Sequence, residues 1–216
     1  LGYSSIGQIG LLALALAVLH QVGATQHLLL VVGGLFVNHL LAKAGLFWLA
    51  GVVNRERIEQ WSVLARHPLL LLAFGAFIAA LAGLPPFPGF WAKWELVMQM
   101  AAGEFYGWIF IVLLGSLLEA AYLFRWFSRA LRVDTEVPAP QSIAVGQAPV
   151  LVTALLLFVA GYLSARSADS ASLSLLLPLY AGGLLYLLDN ILPGRVKWLL
   201  TLGVVALGGY WLTAGL

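Results

Sequence analysis

Charged side chains are scarce in this chain, and cysteine is missing altogether. Only 9% of its 216 residues are charged, whereas a soluble domain carries roughly 25%. Too few charges are available to cover a water-facing surface, so a soluble globular protein is excluded. Without cysteine, disulfides, thiolate zinc sites and cysteine-ligated iron–sulfur clusters are excluded as well.

Apolar residues, by contrast, make up 62% of the sequence. Because one membrane span needs roughly 20 residues, the composition predicts an all-α integral membrane protein with about eight transmembrane helices. A net charge of only +2 and the lack of a basic stripe with interleaved aromatics argue against a nucleic-acid partner. The first apolar run has no basic flank and no initiating methionine, so we expect the sequence to begin inside a longer protein rather than at a signal peptide.

Polar or proline-rich turns separate the apolar runs and give the approximate bounds of the predicted spans. These are residues 6–22, 28–53, 69–84, 90–102, 106–127, 150–164, 173–188 and 198–212. Basic residues gather after the second span, after the fifth, and at Arg195 and Lys197. If Pro85–Gly89 is a turn between two full spans, the first two of these positions fall on opposite sides, and the positive-inside rule then gives no clear orientation.

The segment between the third and fourth runs cannot continue a regular helix, because residues 83–89 contain three prolines and two glycines. Two interpretations remain open: two spans joined by a tight turn, or one helix interrupted near Pro85–Gly89 inside the membrane. Irregular backbone at membrane depth requires protein or trapped water to satisfy its polar groups.

Two ionisable residues lie within the second span, far from both of its ends. His39 and Lys43 are four residues apart, which places them on one helix face. A lysine at the bilayer centre costs roughly 3 kcal/mol on insertion scales and is a functional candidate by default. The alternative is a lysine that extends its ammonium group to the membrane surface.

Two further candidates are Lys93, which follows the interruption, and Glu119, in the middle of the fifth span. Lys93 suits either a wet pocket beside the break, where a lysine can exchange a proton, or an aromatic belt between Trp91 and Trp94. Glu119 suits either a partnership with a lysine on a neighbouring helix or a neutral hydrogen bond between helices.

Protonatable groups in an apolar bundle with one broken helix are typical of a proton or ion path. No nucleophile–base pair, phosphate-binding glycine loop or metal-ligand cluster competes with this interpretation, so we predict no catalytic site, no cofactor and no metal. His20 and His27 flank a turn and are expected to be solvated residues rather than ligands.

Three motifs resemble one family in order and spacing: the antiporter-like subunits of respiratory complex I, membrane-bound hydrogenases and Mrp-type cation/proton antiporters. The motifs are YSSIGQIG at residues 3–10, NHLLAKAGLFWLAG at 38–51, and GLPPFPGFWAK at 83–93. The second resembles the family's His-x-x-x-Lys-x-x-Leu-Phe helix, and the third its Gly-Leu-Pro-Pro-x-x-Gly-Phe-x-x-Lys motif. Residues 114–126 add weaker support, and residues beyond about 135 match by hydropathy only.

The resemblance implies a fold of two inverted five-helix repeats with a polar axis at mid-membrane, of which this chain is similar to the second. Residues 1–132 would form that repeat in part, and residues 133–216 trailing transmembrane helices. Lys93 would be the broken-helix lysine of an exit half-channel, fed by His39 and Lys43. We assign Glu119 to the same proton path because it is a buried ionisable residue in the middle of a span. Another membrane subunit would supply the first repeat.

The resulting hypothesis is proton or sodium translocation in a multi-subunit complex of a bacterial or archaeal inner membrane. The redox reaction that drives such a complex would take place in partner subunits. A structural membrane anchor without its own ion path is the alternative, and a quinone- or haem-binding redox subunit is a third.

Overall fold

The structure, a computed structural model, describes residues 2–132 and 143–168. Within these ranges every regular element is helical, as the composition predicted. The six α-helices are α1 (Gly2–Gln21), α2 (Gly34–Val53), α3 (Pro68–Ala82), α4 (Pro88–Ala102), α5 (Tyr106–Ala130) and α6 (Ile143–Ala168). The predicted spans at 173–188 and 198–212 lie outside the described residues.

Among the described residues, four helical segments are long and apolar enough to cross a membrane, which confirms the predicted membrane class. They are Ser4–Gln21, Thr25–Val53, Tyr106–Ala130 and Gly146–Ala168. The second includes a short 3-10 turn and a π-helical stretch that lead without interruption into α2. α3 and α4 have only 15 residues each, about 22 Å at 1.5 Å per residue, and each is too short to cross alone.

α3 and α4 are the two halves of one interrupted crossing. Their order along α2 shows this, because Asn38 in the middle of the second span contacts both Ala80 at the end of α3 and Gly89 at the start of α4. Farther toward the N-terminal end of that span, His27 pairs with Glu95 of α4. α4 therefore continues in the direction of α3 instead of turning back, and the break lies within the membrane.

The break itself is built from residues suited to ending one helix and starting another. Gly83 caps α3 in the left-handed conformation at φ +78°, which glycine adopts without steric cost. A cis peptide bond joins Pro85 to Pro86. Pro88 then occupies the first position of α4, where its fixed φ suits a helix and no hydrogen bond is lost.

α6 covers the break from one side. At Gly161 a Cβ atom would collide with the Pro86 carbonyl oxygen and lie 3.2 Å from the Phe87 Cα, so only glycine allows this approach. The Phe87 and Phe158 rings pack beside it with centroids 5.1 Å apart. The irregular backbone is thus shielded by protein, as membrane depth requires.

The loop after α2, which the sequence predicted only as a charged connection, contains a 3-10 helix at Ile58–Arg66. It forms because its apolar residues pack on α3 and α5, with Trp61 only 4% exposed. The Trp61 ring centroid lies 5.2 Å from that of Phe74 and 4.6 Å from that of Trp126.

This aromatic contact places the C-terminal ends of α2 and α5 at the same membrane surface, which we call the arginine-rich face. Its arginines are Arg55, Arg57, Arg66, Arg125, Arg129 and Arg132. The surface across the membrane, called the opposite face, holds the turn before α2 and the end of α4. The orientation problem left by the sequence arose from counting α3 and α4 as possible separate crossings.

Candidate functional site

Ionisable and hydroxyl side chains from four helices lie at the depth of the break. We call this set the polar layer; its members are Ser4 and Ser5 of α1, His39 and Lys43 of α2, Lys93 of α4, and Ser116, Glu119 and Tyr122 of α5. All four ionisable residues predicted from the sequence belong to it.

Lys93 folds back over the break. Its Nζ donates a hydrogen bond to Ser116 Oγ at 3.0 Å. The Lys93 side chain passes close to Gly83, where a Cβ atom would lie 3.1 Å from the Nζ and 3.2 Å from the Cδ. The last carbonyl groups of a helix lack partners within the helix, so the end of α3 offers a partly negative surface for an ammonium group. Lys93 thus belongs to the break and not to an interfacial aromatic belt.

Glu119 shares the polar layer with two lysines that come from different helices. Its Oε1 accepts hydrogen bonds from Ser4 Oγ at 2.9 Å and from Tyr122 OH at 3.4 Å. The carboxyl group is also close enough to interact electrostatically with both Lys43 and Lys93. The acid therefore connects the lysine of the intact span with the lysine of the broken one.

His39 and Lys43 occupy one face of α2, as their spacing predicted, and they interact electrostatically. The His39 Nε2 lies 3.2 Å from Ser5 Oγ, and the tautomer decides which of the two donates. Lys43 is only 6% exposed. Its side chain therefore remains inside the bundle and does not extend to the membrane surface.

Asn38 is a member of the site that sequence reasoning missed. It is 5% exposed, and its Nδ2 donates to the Ala80 carbonyl at 2.9 Å. At Gly89 a Cβ atom would lie 2.6 Å from the same nitrogen, so the amide bonds to the end of α3 and packs closely against the start of α4. The available signal was an amide in an apolar span, directly before His39.

Ser116 was missed as well, although it precedes Glu119 by three residues and so shares its helix face. A serine is common in membrane helices, where close packing explains it. Only the contact with Lys93 shows that this one belongs to the polar layer.

A cleft of about 880 Å³ opens between α1 and α5 and gives access to the polar layer. Lys93, Ser116, Glu119 and Tyr122 contribute polar groups to a lining that is otherwise mostly apolar. Water in such a cleft can hydrogen-bond to these side chains. The arrangement is suited to passing protons between neighbouring acids and bases.

The two turn histidines differ from each other. His20 is exposed, as expected. His27 was expected to be a solvated residue, but its Nδ1 lies 3.0 Å from Glu95 Oε1 and its side chain is 32% exposed. The contact forms because α4 continues past the break toward the turn, which the sequence did not reveal. Within 2–132 and 143–168, no group of three or more metal-ligating side chains occurs.

Comparison with known proteins shows the family of this chain. The profile of the family described as "NADH:quinone oxidoreductase/Mrp antiporter, TM" matches residues 1–119, more than half of the chain. The matched range contains the break and all four predicted ionisable residues.

The curated relatives are subunits of NADH-quinone oxidoreductases. The chain is 39% identical over 141 residues to NADH-quinone oxidoreductase subunit N of Desulforudis audaxviator, which covers 60% of this chain and 26% of that protein. It is 32% identical over 165 residues to subunit N 2 of Acidobacterium capsulatum, covering 74% and 32%. With subunit 14 of Thermus thermophilus it shares 28% identity over 166 residues, covering 76% and 37%.

The chain thus spans between 26% and 37% of the length of these relatives. No solved structure matches it.

Proposed function

This chain belongs to the NADH:quinone oxidoreductase/Mrp antiporter transmembrane family, and we propose that it translocates protons as part of an antiporter-like subunit in a multi-subunit complex. The relatives support an integral protein of the bacterial inner membrane that works beside other membrane subunits. The observation that carries the proposal is the position of Glu119, one turn along α5 from Ser116, the hydrogen-bond partner of Lys93, and within electrostatic range of both Lys43 and Lys93.

The polar layer provides a sequence of proton transfers along the membrane plane. When Lys43 is protonated, the attraction between the Glu119 carboxylate and the Lys93 ammonium group weakens, because one carboxylate is then shared by two ammonium groups. Lys93 can then release its proton through the break toward the opposite face. Glu119 returns to Lys93 when that lysine takes up the next proton, and the cycle repeats.

The side chains of the polar layer favour a proton over sodium as the ion. Amine, imidazole and carboxyl groups carry protons by binding and releasing them. Hard metal cations are held by several oxygen ligands around one position. The described polar layer instead alternates nitrogen bases with single oxygen groups from different helices.

The arrangement of charges also supports an orientation. Six arginines mark one surface, so the positive-inside rule assigns the arginine-rich face to the cytoplasm. α4 then leads from Lys93 to the side away from the cytoplasm, which agrees with an exit route. In this proposal residues 1–132 act as the second repeat, residues 133–216 as trailing helices, and another chain or segment supplies the first repeat.

The test compares Lys93→Ala with Trp94→Ala in sealed vesicles that contain the assembled complex. Trp94 follows Lys93 on α4 and is 55% exposed, so its loss removes bulk beside the lysine without touching the polar layer. We expect Lys93→Ala to reduce proton translocation per assembled complex at least tenfold and Trp94→Ala to leave it unchanged. Wild-type translocation by Lys93→Ala would contradict the proposal.

The structural-anchor alternative has one observation in its favour, since Lys93 and Glu119 both have hydroxyl partners on neighbouring helices. If these bonds served only to join helices, Lys93→Ala would lower the amount of assembled complex and leave translocation per complex intact. The same experiment therefore separates the two functions.

A further inference from the structure

We infer that His27 and Glu95 form the last proton-transfer pair between the polar layer and the opposite face. The inference rests on the proposed function, because it assigns the group that receives the proton released by Lys93. The pair belongs to none of the three sequence motifs and lies outside the polar layer.

The geometry is that of a hydrogen-bonded acid–base pair with a supporting amide. Glu95 Oε1 lies 3.0 Å from His27 Nδ1. The same oxygen accepts a hydrogen bond from Gln99 Nε2 at 2.8 Å, which fixes the carboxyl group against α4. The Glu95 side chain is 16% exposed and that of His27 is 32% exposed, so exposure rises from the acid to the base.

The position of the pair along α4 agrees with an exit. α4 carries Lys93 near the break and ends at Ala102 on the opposite face. Glu95 lies two residues farther toward that face than Lys93, about 3 Å along the helix axis. The Lys93 ammonium group folds back toward Gly83, and side chains two residues apart point in different directions around a helix. The inferred transfer from Lys93 to Glu95 therefore requires water between them, as a proton path through a bundle permits.

The chemistry of the transfer balances without any further reactant. Glu95 takes one proton from the Lys93 side and passes it across the hydrogen bond to Nδ1 of His27. The protonated imidazole releases the other proton, from Nε2, to water at the surface, and a change of tautomer restores the starting state. Histidine suits this step because each of its two ring nitrogens can bind or release a proton.

A purely structural role explains the pair less well. A salt bridge between partly exposed side chains contributes little stability, and Gln99 alone already ties Glu95 to its own helix. A clamp would also function with glutamine at position 95, since the amide can still hydrogen-bond to His27. A proton carrier would not, because an amide does not titrate in the physiological range.

The test measures proton translocation per assembled complex for Glu95→Gln and for the control Glu104→Gln. Glu104 follows the end of α4 in the turn before α5. We expect Glu95→Gln to lower translocation at least fivefold and Glu104→Gln to leave it unchanged. Wild-type translocation by Glu95→Gln overturns the inference.

Chemical rescue provides a readout that a structural role would not change. His27→Ala should also lower translocation several-fold, and millimolar imidazole in the medium should restore most of it by replacing the missing base. A loss that imidazole does not restore overturns the inference. The Lys93→Ala variant distinguishes a failure of this inference from a failure of the proposed function. If Lys93→Ala loses translocation and Glu95→Gln keeps it, only the assignment of the exit pair is wrong. If both variants translocate protons at the wild-type rate, the proposed function itself is wrong.

Discussion

The bundle has a tightly packed half and an open half, although both are built from equally apolar helices. In the packed half, α2 and α6 pack against each other and against α3, and 39% and 33% of the residues in the spans of α2 and α6 are buried. In the open half, α1 and α5 line the cleft, and only 17% and 11% of their spans are buried. Glu119, Ser116 and Ser4 all belong to the open half.

The glycines of the two halves differ in their surroundings. Gly45 of α2 lies directly under the Phe77 ring, so its missing side chain permits close packing. Gly7, Gly10 and Gly115 line the cleft, and no atom lies within 4 Å of the position where their Cβ would be. The comparison teaches that glycine permits close helix packing in one half and leaves space beside the polar layer in the other.

The comparison predicts that substitutions in the packed half affect stability and those in the open half affect proton translocation. The largest effect is expected for Phe74→Ala. Phe74 is 0% exposed within the aromatic cluster, so its removal leaves a cavity that should cost about 3 kcal/mol in the free energy of unfolding. Phe110→Ala is the matched control, because that ring is 67% exposed on α5. Denaturant unfolding in detergent measures the free energy of unfolding of both variants. Equal decreases in the two variants would contradict the difference between the packed and the open half.

Gly45→Ala should have the next largest effect. A methyl group at this position collides with the Phe77 ring, and overpacking of this kind costs about 1–3 kcal/mol. Gly51→Ala on the same helix meets open space and should be nearly neutral. The thermal midpoints of the two variants measure the difference, and an unchanged midpoint for Gly45→Ala would show that α2 and α3 pack more loosely than described.

Glu119→Gln should lower proton translocation about tenfold with little loss of stability. The amide retains hydrogen-bonding capacity toward Ser4 and Tyr122 but no longer carries the charge that links the two lysines. Glu56→Gln, at an exposed position on the arginine-rich face, should translocate at the wild-type rate. Comparable rates in the two variants would show that the carboxyl group is only a hydrogen-bond acceptor between α1 and α5.

The smallest effect is expected for Ser116→Ala. This change removes the hydroxyl group that accepts the bond from Lys93, and one such bond contributes roughly 1 kcal/mol, so translocation should fall about fivefold. Ser128→Ala on the same helix removes a hydroxyl bonded only to the Arg125 carbonyl among the described residues. Its translocation should be unchanged, and a drop equal to that of Ser116→Ala would point to a general effect on α5.

The sequence predicted those features that depend on local chemistry. The prolines and glycines at 83–89 interrupt a helix wherever they occur, and the four-residue spacing of His39 and Lys43 places both on one face in any helix. The structure added what depends on neighbouring helices. The residues next to Asn38, Ser116 and His27 in the sequence do not indicate whether each side chain bonds to a residue 20 or more positions away or to a nearby water molecule.

The same limit explains why the direction of α4 could not be predicted. Whether a chain turns back or continues after a break depends on the contacts of both halves with α2 and α6. The sequence contains those contacts only as single residues, such as Gly161, whose role appears once the Pro86 carbonyl lies against it.

The account depends most on continuity within the polar layer, and an experimental structure of the assembled complex that resolves ordered water tests this most directly. We predict water molecules or side-chain hydrogen bonds without interruption from His39 and Lys43 past Glu119 to Lys93. A dry layer of apolar side chains between Glu119 and Lys93, with each charge paired locally, would contradict the account and favour a structural anchor.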